Sequence, residues 1–162
     1  MTSLTRRYRF SASHRLHSEA LSAADNQRLY GKCNNPHGHG HDYILEVTAT
    51  GRVGEANGLI LSRRRLDRLV EDKILCCFAN RNLNADAPDF AQLVPTTENL
   101  ALVITRLLKE SWADYVAGSD GACSHLSRVH IQETGRNGFE VLIPDSNSRN
   151  LSSQVEDTYA QS

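Results

Sequence analysis

No run in this 162-residue chain approaches the ~20 consecutive apolar residues that a membrane-spanning helix needs. The opening residues, MTSLTRRYRF, lack the apolar core of a secretory signal. A surplus of one charge is missing too. Eighteen Lys and Arg stand against 19 Asp and Glu, a formal net charge of -1, so no general attraction to nucleic acid or to an anionic membrane follows. The basic run Arg63-Arg64-Arg65 is local and reads as the solvated start of a helix. There are only four cysteines, none in C-x-x-C spacing, and Cys76 and Cys77 are adjacent, too close for an ordinary disulfide. A disulfide framework is thereby excluded, and a reducing compartment, the cytoplasm, is expected. No internal repeat stands out. What remains is 40% hydrophobic and 23% charged, the balance of a globular protein, in a chain long enough for one domain with a real core.

Residues 7–14 alternate as a strand, with Tyr8, Phe10, Ala12 and His14 on one parity. Residues 16–38 look irregular, punctuated by Asp, Asn, Pro and Gly. A second strand runs from about His39 to Thr50, with His41, Tyr43, Leu45, Val47 and Ala49 on one face, and residues 51–58 supply a turn. Ser62 is placed to cap a helix, along which Leu66, Leu69, Val70, Ile74 and Cys77 recur at helical spacing. Residues 80–95 read as a long loop. A second helix opens at "PTTEN", with Thr96 or Thr97 as its cap and Glu98 near the positive end of its dipole. Leu100, Val103, Ile104, Leu107 and Leu108 form its buried stripe, and residues 118–121 end the segment. Strands over 128–133 and 139–143 flank the hairpin signal "TGRNG". The order is β-β-α-α-β-β, an α+β domain with an antiparallel sheet spanning residues 1–144. Residues 145–162 form a polar tail, expected to be loosely packed.

The chemistry concentrates in "YGKCNNPHGHGHDY", residues 30–43. Residues two apart on a strand share a face, so His39 and His41 point together. Pro36, Gly38 and Gly40 argue that the segment before His39 is turn or bulge, which separates His37 from that pair. His14 ends the first strand on its apolar parity. If the two strands pair antiparallel, His14 faces His39 and His41 across the ladder. Three neutral histidines suit zinc and leave a fourth position open for water or substrate, the catalytic form of such a site. By ligand type alone, copper, nickel or iron also fit. His17, His125 and His130 show no comparable pattern and read as ordinary polar positions.

These residues carry a resemblance. "FSASHRL" at 10–16, "YGKCNNPHGHGHDY" at 30–43, "NRNLN" at 80–84, "TTEN" at 96–99 and "IQET" at 131–134 together resemble the 6-pyruvoyl-tetrahydropterin synthase family, which includes the 6-carboxy-tetrahydropterin synthases. The resemblance implies a T-fold whose subunits form trimers with a barrel of sheets, stacked into hexamers with active sites between subunits. It implies zinc at His14, His39 and His41, acidifying side-chain hydroxyls of a pterin-like substrate, 7,8-dihydroneopterin triphosphate, which loses triphosphate. It implies Cys33 as general base, a role that needs a lowered thiol pKa, to which Lys32 or the metal would contribute. It implies Glu133 as the anchor of the pterin ring, a carboxylate accepting two N–H bonds, with Thr97 and Glu98 in the same ring pocket. The C-x5-H-G-H spacing from Cys33 to His39 tilts towards the pyruvoyl type.

The match breaks at one place. Before "NLN" the family carries Asp-His and a basic residue, and that pair serves proton transfer with the cysteine. Here Ala79-Asn80 stands before Arg81. Alanine has no polar group and an asparagine amide does not titrate near neutrality, although Asn80 retains hydrogen bonds to offer. His37 is a candidate replacement proton carrier; otherwise it is a solvent-facing turn residue. The expected function is a zinc-dependent carbon–oxygen lyase on a pterin substrate. The alternatives are a diverged paralogue with altered chemistry and a non-catalytic pterin binder.

Overall fold

The computed structural model describes residues 1–116 and 124–145. The expected helix end at residues 118–121, and all of the polar tail except Asp145, lie outside the described residues. Five strands form one sheet in the order β3-β1-β2-β4-β5. They are β1 (Thr2–His14), β2 (His39–Gly51), β3 (Arg81–Asn82), β4 (Ser124–Gln132) and β5 (Gly138–Leu142). The long pairings, β1 with β2, β2 with β4 and β4 with β5, are antiparallel. The sheet is nonetheless mixed, because the two-residue β3 runs parallel to β1 at Ala12 and Ser13. Asn80 causes this: its positive φ of 58° turns the chain, and its N–H donates to the Ser11 carbonyl at 2.7 Å, which lays Arg81 and Asn82 along β1.

Period-two alternation decides which sheet face is covered. Phe10 and Ala12 of β1, Tyr43, Leu45, Val47 and Ala49 of β2, and Val129 and Ile131 of β4 are buried. Onto them pack Leu66, Leu69, Val70, Ile74 and Phe78 from one helix, and Leu100, Val103, Ile104 and Leu108 from another. Each such side chain contributes roughly 1.5–3 kcal/mol of burial free energy, which fixes the helices to this face. The other face carries polar partners, among them Ser11 with Asp42 and Arg128 with Glu46 and Glu140.

The first of these helices, α2 (Arg63–Val70), continues through a π turn (Glu71–Leu75) into α3 (Cys76–Phe78). A π turn inserts a residue into the helical register, so Phe78 is buried and Cys77, expected in the stripe, is exposed. Ser62 stands at the cap position but its side chain makes no capping bond. The second, α5 (Thr97–Tyr115), is capped by Thr96, whose hydroxyl accepts the Asn99 N–H. Thr97 is therefore the first helical residue, and it is buried.

Strand β1 begins at Thr2 rather than residue 7, since its mostly polar first residues pair with residues 47–51 of β2 without alternating in hydrophobicity. The stretch expected to be irregular holds α1 (Ala23–Tyr30) and a 3-10 turn (Gly31–Asn34). Only Asn26 of α1 is buried. Its amide donates to the carbonyls of Ser18, Leu21 and Ser22, so a polar side chain rather than an apolar stripe ties this helix down. The expected long loop contains β3, the short α4 (Leu83–Asp86) and a 3-10 turn (Pro88–Phe90), anchored by buried Leu83, Ala87 and Phe90.

Candidate metal centre

The β1–β2 register places His14 opposite His39 and Ala12 opposite His41, so all three imidazoles share the helix-covered face. Their ring centroids lie 4.7–5.1 Å apart, and one ligand nitrogen from each falls within 4.8 Å of the others. His14 is 1% exposed. Its Nδ1–H donates to the Pro95 carbonyl at 2.8 Å, which leaves the lone pair on Nε2, 3.3 Å from His39 Nε2. His41 Nε2 is buried without a hydrogen-bond partner. Burial pushes His14 below the ordinary histidine range, against the Pro95 carbonyl and Glu133 charge; burial and then His41 do the same to His39. Converging, underpartnered ring nitrogens are what a divalent ion requires, so the donor set fits a metal.

The chain reaches this geometry through Gly38. Its φ is +68°, and a Cβ there would stand 2.8 Å from the His14 carbonyl oxygen. Only glycine lets the turn before β2 pass this close to the end of β1.

Glu133 borders the cluster, with Oε1 3.6 Å from His14 Nε2 and 3.8 Å from His41 Nε2. Tyr43 donates its hydroxyl to Oε1 at 3.4 Å, and the Asn137 amide donates to Oε2 at 2.8 Å. Burial raises this carboxyl, but hydrogen bonds from Asn137 and Thr97 and the nearby His41 and His14 outweigh it and hold the group below its usual range. Glu133 is thus a fixed anion beside three imidazoles. Tyr43 is pushed far upward by burial and by the Glu133 charge and stays a donor.

Cys33 is half-buried, and its carbonyl accepts the Leu16 N–H at 2.8 Å. Burial and then the Glu133 charge raise its thiol, the reverse of what a base requires, and Lys32 is exposed. Thr97 joins Glu133 and lies 3.5 Å from Asn137. Glu98 is exposed on the first turn of α5, and among the described residues no hydrogen bond or ion pair reaches its side chain. His37 is exposed, and its N–H donates to Asn35 Oδ1 at 3.1 Å; it stands outside the histidine cluster. Asn80 is exposed and lines a cavity of about 390 Å³ with Ser11, Asp42, Arg81 and His41 of the cluster. Ser11 and Asp42 alternate onto the face opposite the histidines.

Sequence reasoning missed three contributors. Tyr43 was legible as a core position but not as a donor to Glu133. Asn137 reads only as a hairpin residue, and the Pro95 carbonyl leaves no sequence signal.

The match to known proteins is extensive. The family model described as 6-pyruvoyl tetrahydropterin synthase matches residues 3–142. A protein named 6-pyruvoyl tetrahydrobiopterin synthase from Poecilia reticulata is 40% identical over 134 residues, 83% of this chain and 85% of that one. The protein of that name from Homo sapiens is 46% identical over 101 residues, 62% of this chain and 70% of its own. Among solved structures, the 6-pyruvoyl tetrahydropterin synthase of Caenorhabditis elegans superposes with a TM-score of 0.77 at 34% identity, covering 88% of this chain and 96% of that chain.

Proposed function

The chain belongs to the 6-pyruvoyl tetrahydropterin synthase family, and we propose that it is a zinc-dependent lyase acting on 7,8-dihydroneopterin triphosphate or a close pterin relative. The observation that carries this reading is a three-histidine cluster with a buried, anionic glutamate at its edge. His14, His39 and His41 hold the ion. Zinc, when bound, would supply Lewis acidity to a substrate hydroxyl.

The chain's own residues supply the rest. Glu133, held anionic by Asn137 and Thr97, accepts N–H bonds from the ring edge of the pterin. Thr97 and Tyr43 keep that carboxylate oriented, and Pro95 fixes the ring of His14. Cys33 is the base: it takes a proton from the substrate side chain, and triphosphate departs. Because burial raises the thiol in the protein alone, this role depends on positive charge arriving at the three histidines. Glu98 contributes to the ring pocket from an exposed helix turn.

The working unit is a trimer, paired into a hexamer. Two open edges support this. Among the described residues β5 has no neighbour beyond β4, and β1 is paired on its outer side only over Ser11, Ala12 and Ser13. Unpaired edges are templates for another chain. Asn80 and Glu98, exposed in one chain, then meet a neighbour. Residues 1–144 act as one domain and residues 145–162 as an appended tail. No helix of the described residues is long and apolar enough to cross a membrane, and we place the protein in the cytoplasm, with no nucleic-acid partner.

A second reading rests on Ala79-Asn80. Without an Asp-His relay the family reaction is slow, or the site serves altered pterin chemistry. Incubating zinc-loaded protein with 7,8-dihydroneopterin triphosphate and measuring released inorganic triphosphate separates the readings. Metal-dependent release supports the lyase. Pterin binding with no release supports the diverged reading, and neither binding nor release overturns both.

A further inference from the structure

We propose that Cys76 and Cys77 form a chelating dithiol, a second ligand site that captures a trivalent arsenical through two sulfurs. It is separate in chemistry from the all-nitrogen histidine centre.

Both cysteines stand on α3, directly after the π turn. The stripe of Leu66, Leu69, Val70 and Ile74 is fully buried, and continued at the α-helical period it would take in Cys77. One inserted residue rotates the following face by ~100°. Phe78 therefore enters the core, and Cys77 comes out beside Cys76. Such π insertions recur at functional sites. Both thiols are exposed, with their sulfurs 3.6 Å apart. The Cys76 thiol donates to the Asp72 carbonyl at 2.7 Å, which orients it.

The spacing selects the ligand. Consecutive Cα atoms stand ~3.8 Å apart, short of the ~4.4 Å that a disulfide ordinarily needs. With bonds of ~2.3 Å to each sulfur, sulfurs 3.6 Å apart close an angle of roughly 100° at the bound atom. A linear two-coordinate ion would ask for ~4.6 Å at the same bond length. A tetrahedral ion needs further ligands, and the acids around the pair are engaged. Asp72 accepts the Tyr115 hydroxyl at 2.9 Å and lies 3.5 Å from Arg68 Nε, and Asp89 is paired with Arg106. Among the described residues, only the histidine cluster brings three such ligand groups together. The dithiol thus offers two soft ligands and no third. A pyramidal trivalent arsenic with one carbon substituent needs two.

The exchange needs no oxidant. In water phenylarsine oxide is a phenylarsenic dihydroxide. Each S–H bond breaks as an S–As bond forms, and each hydroxyl leaves with the thiol proton as water. Arsenic stays trivalent and neither sulfur is oxidised. Desolvation and then the hydrogen bond with Cys76 raise the Cys77 thiol. That keeps it protonated and slow towards peroxide, without hindering an exchange that carries the proton away as water.

The probe is phenylarsine oxide, added to the reduced, zinc-loaded full chain and read by intact-protein mass spectrometry, with glutathione as a one-thiol competitor. The expected result is one phenylarsenic group per chain, retained in excess glutathione, removed by dithiothreitol, with zinc per chain unchanged. Cys76→Ser and Cys77→Ser are each expected to weaken retention against glutathione roughly 10²–10⁴-fold, the loss of an intramolecular second bond. Both side chains are exposed, so serine leaves the fold intact, which unchanged circular dichroism and zinc content verify. Undiminished retention in either variant overturns the site. Retention that survives both variants but is lost in Cys33→Ser or Cys123→Ser assigns the arsenic to another thiol and overturns it equally. Release of zinc on arsenical binding contradicts its separation from the histidine centre.

Discussion

Replacing Gly38 by alanine tests the geometry of the metal centre with a single methyl group. Gly38 lies at φ +68°, and an added Cβ would stand 2.8 Å from the His14 carbonyl oxygen and 3.3 Å from its carbonyl carbon. Two costs combine. A left-handed non-glycine residue costs roughly 1–2 kcal/mol, and forcing atoms into a packed contact costs about 1–3 kcal/mol more. The contacted atom is backbone and cannot rotate away, so relief comes only by moving His14 relative to His39. Gly58 is the internal control, with φ +69° and nothing within 4 Å of its added Cβ; it bears only the first cost. Urea denaturation of the metal-free proteins should show Gly38→Ala losing about 1–3 kcal/mol more stability than Gly58→Ala. Zinc titration should show a weakened site in Gly38→Ala and an unaltered one in Gly58→Ala. Equal stability of the two variants, with equal zinc affinity, would refute the claim that close approach at Gly38 sets the spacing of His14 and His39.

Glu133→Gln replaces an anion that Asn137, Thr97, His41 and His14 stabilise by a neutral amide. Pterin affinity, read by fluorescence, should fall by about 1.5–3 kcal/mol, while bound metal per chain stays constant; an unchanged pterin affinity removes Glu133 from the ring pocket. In chelator-treated protein, burial holds His14 and His39 below the ordinary histidine range. The unfolded chain therefore protonates first, near pH ~6.5, and stability is full above that value and declines as pH falls through it towards the folded values. Urea midpoints should thus be lower at about pH 5.5 than at about pH 7.5, and a higher midpoint at the acidic value contradicts the sign. Restoring the relay by Ala79→Asp with Asn80→His should raise triphosphate release by ~10²–10⁴-fold. Histidine tolerates the left-handed backbone that Asn80 adopts, so absence of a gain counts against a missing relay as the cause of slow turnover.

Much of the site was legible because strands have a period of two. Alternation put His39 and His41 on one face, His14 was expected to join them if the two strands paired antiparallel, and the β1–β2 register does place it opposite His39. The helix stripes were legible by the same logic at their own period, until the π turn shifted the register and exchanged Cys77 for Phe78. What stayed hidden depends on polar contacts between distant segments. Helix α1 is tied down by the Asn26 amide rather than by an apolar stripe, so hydrophobic periodicity could not mark it. The parallel β3 arises from one left-handed residue, Asn80. His17 looked ordinary because one of its partners, Asn34, meets it only when the chain folds back between β1 and β2. The motif around Cys33 implied an activated thiol, while its surroundings, burial and the Glu133 charge, raise it.

The central claim is that three histidines hold the metal and that Cys33 stays off it. X-ray absorption at the zinc edge of the loaded protein measures this directly. The account predicts a shell of three imidazole nitrogens at ~2.0–2.1 Å with oxygen at the open position, lost in His39→Ala. A sulfur scatterer at ~2.3 Å, or a shell unaltered by His39→Ala, would contradict it.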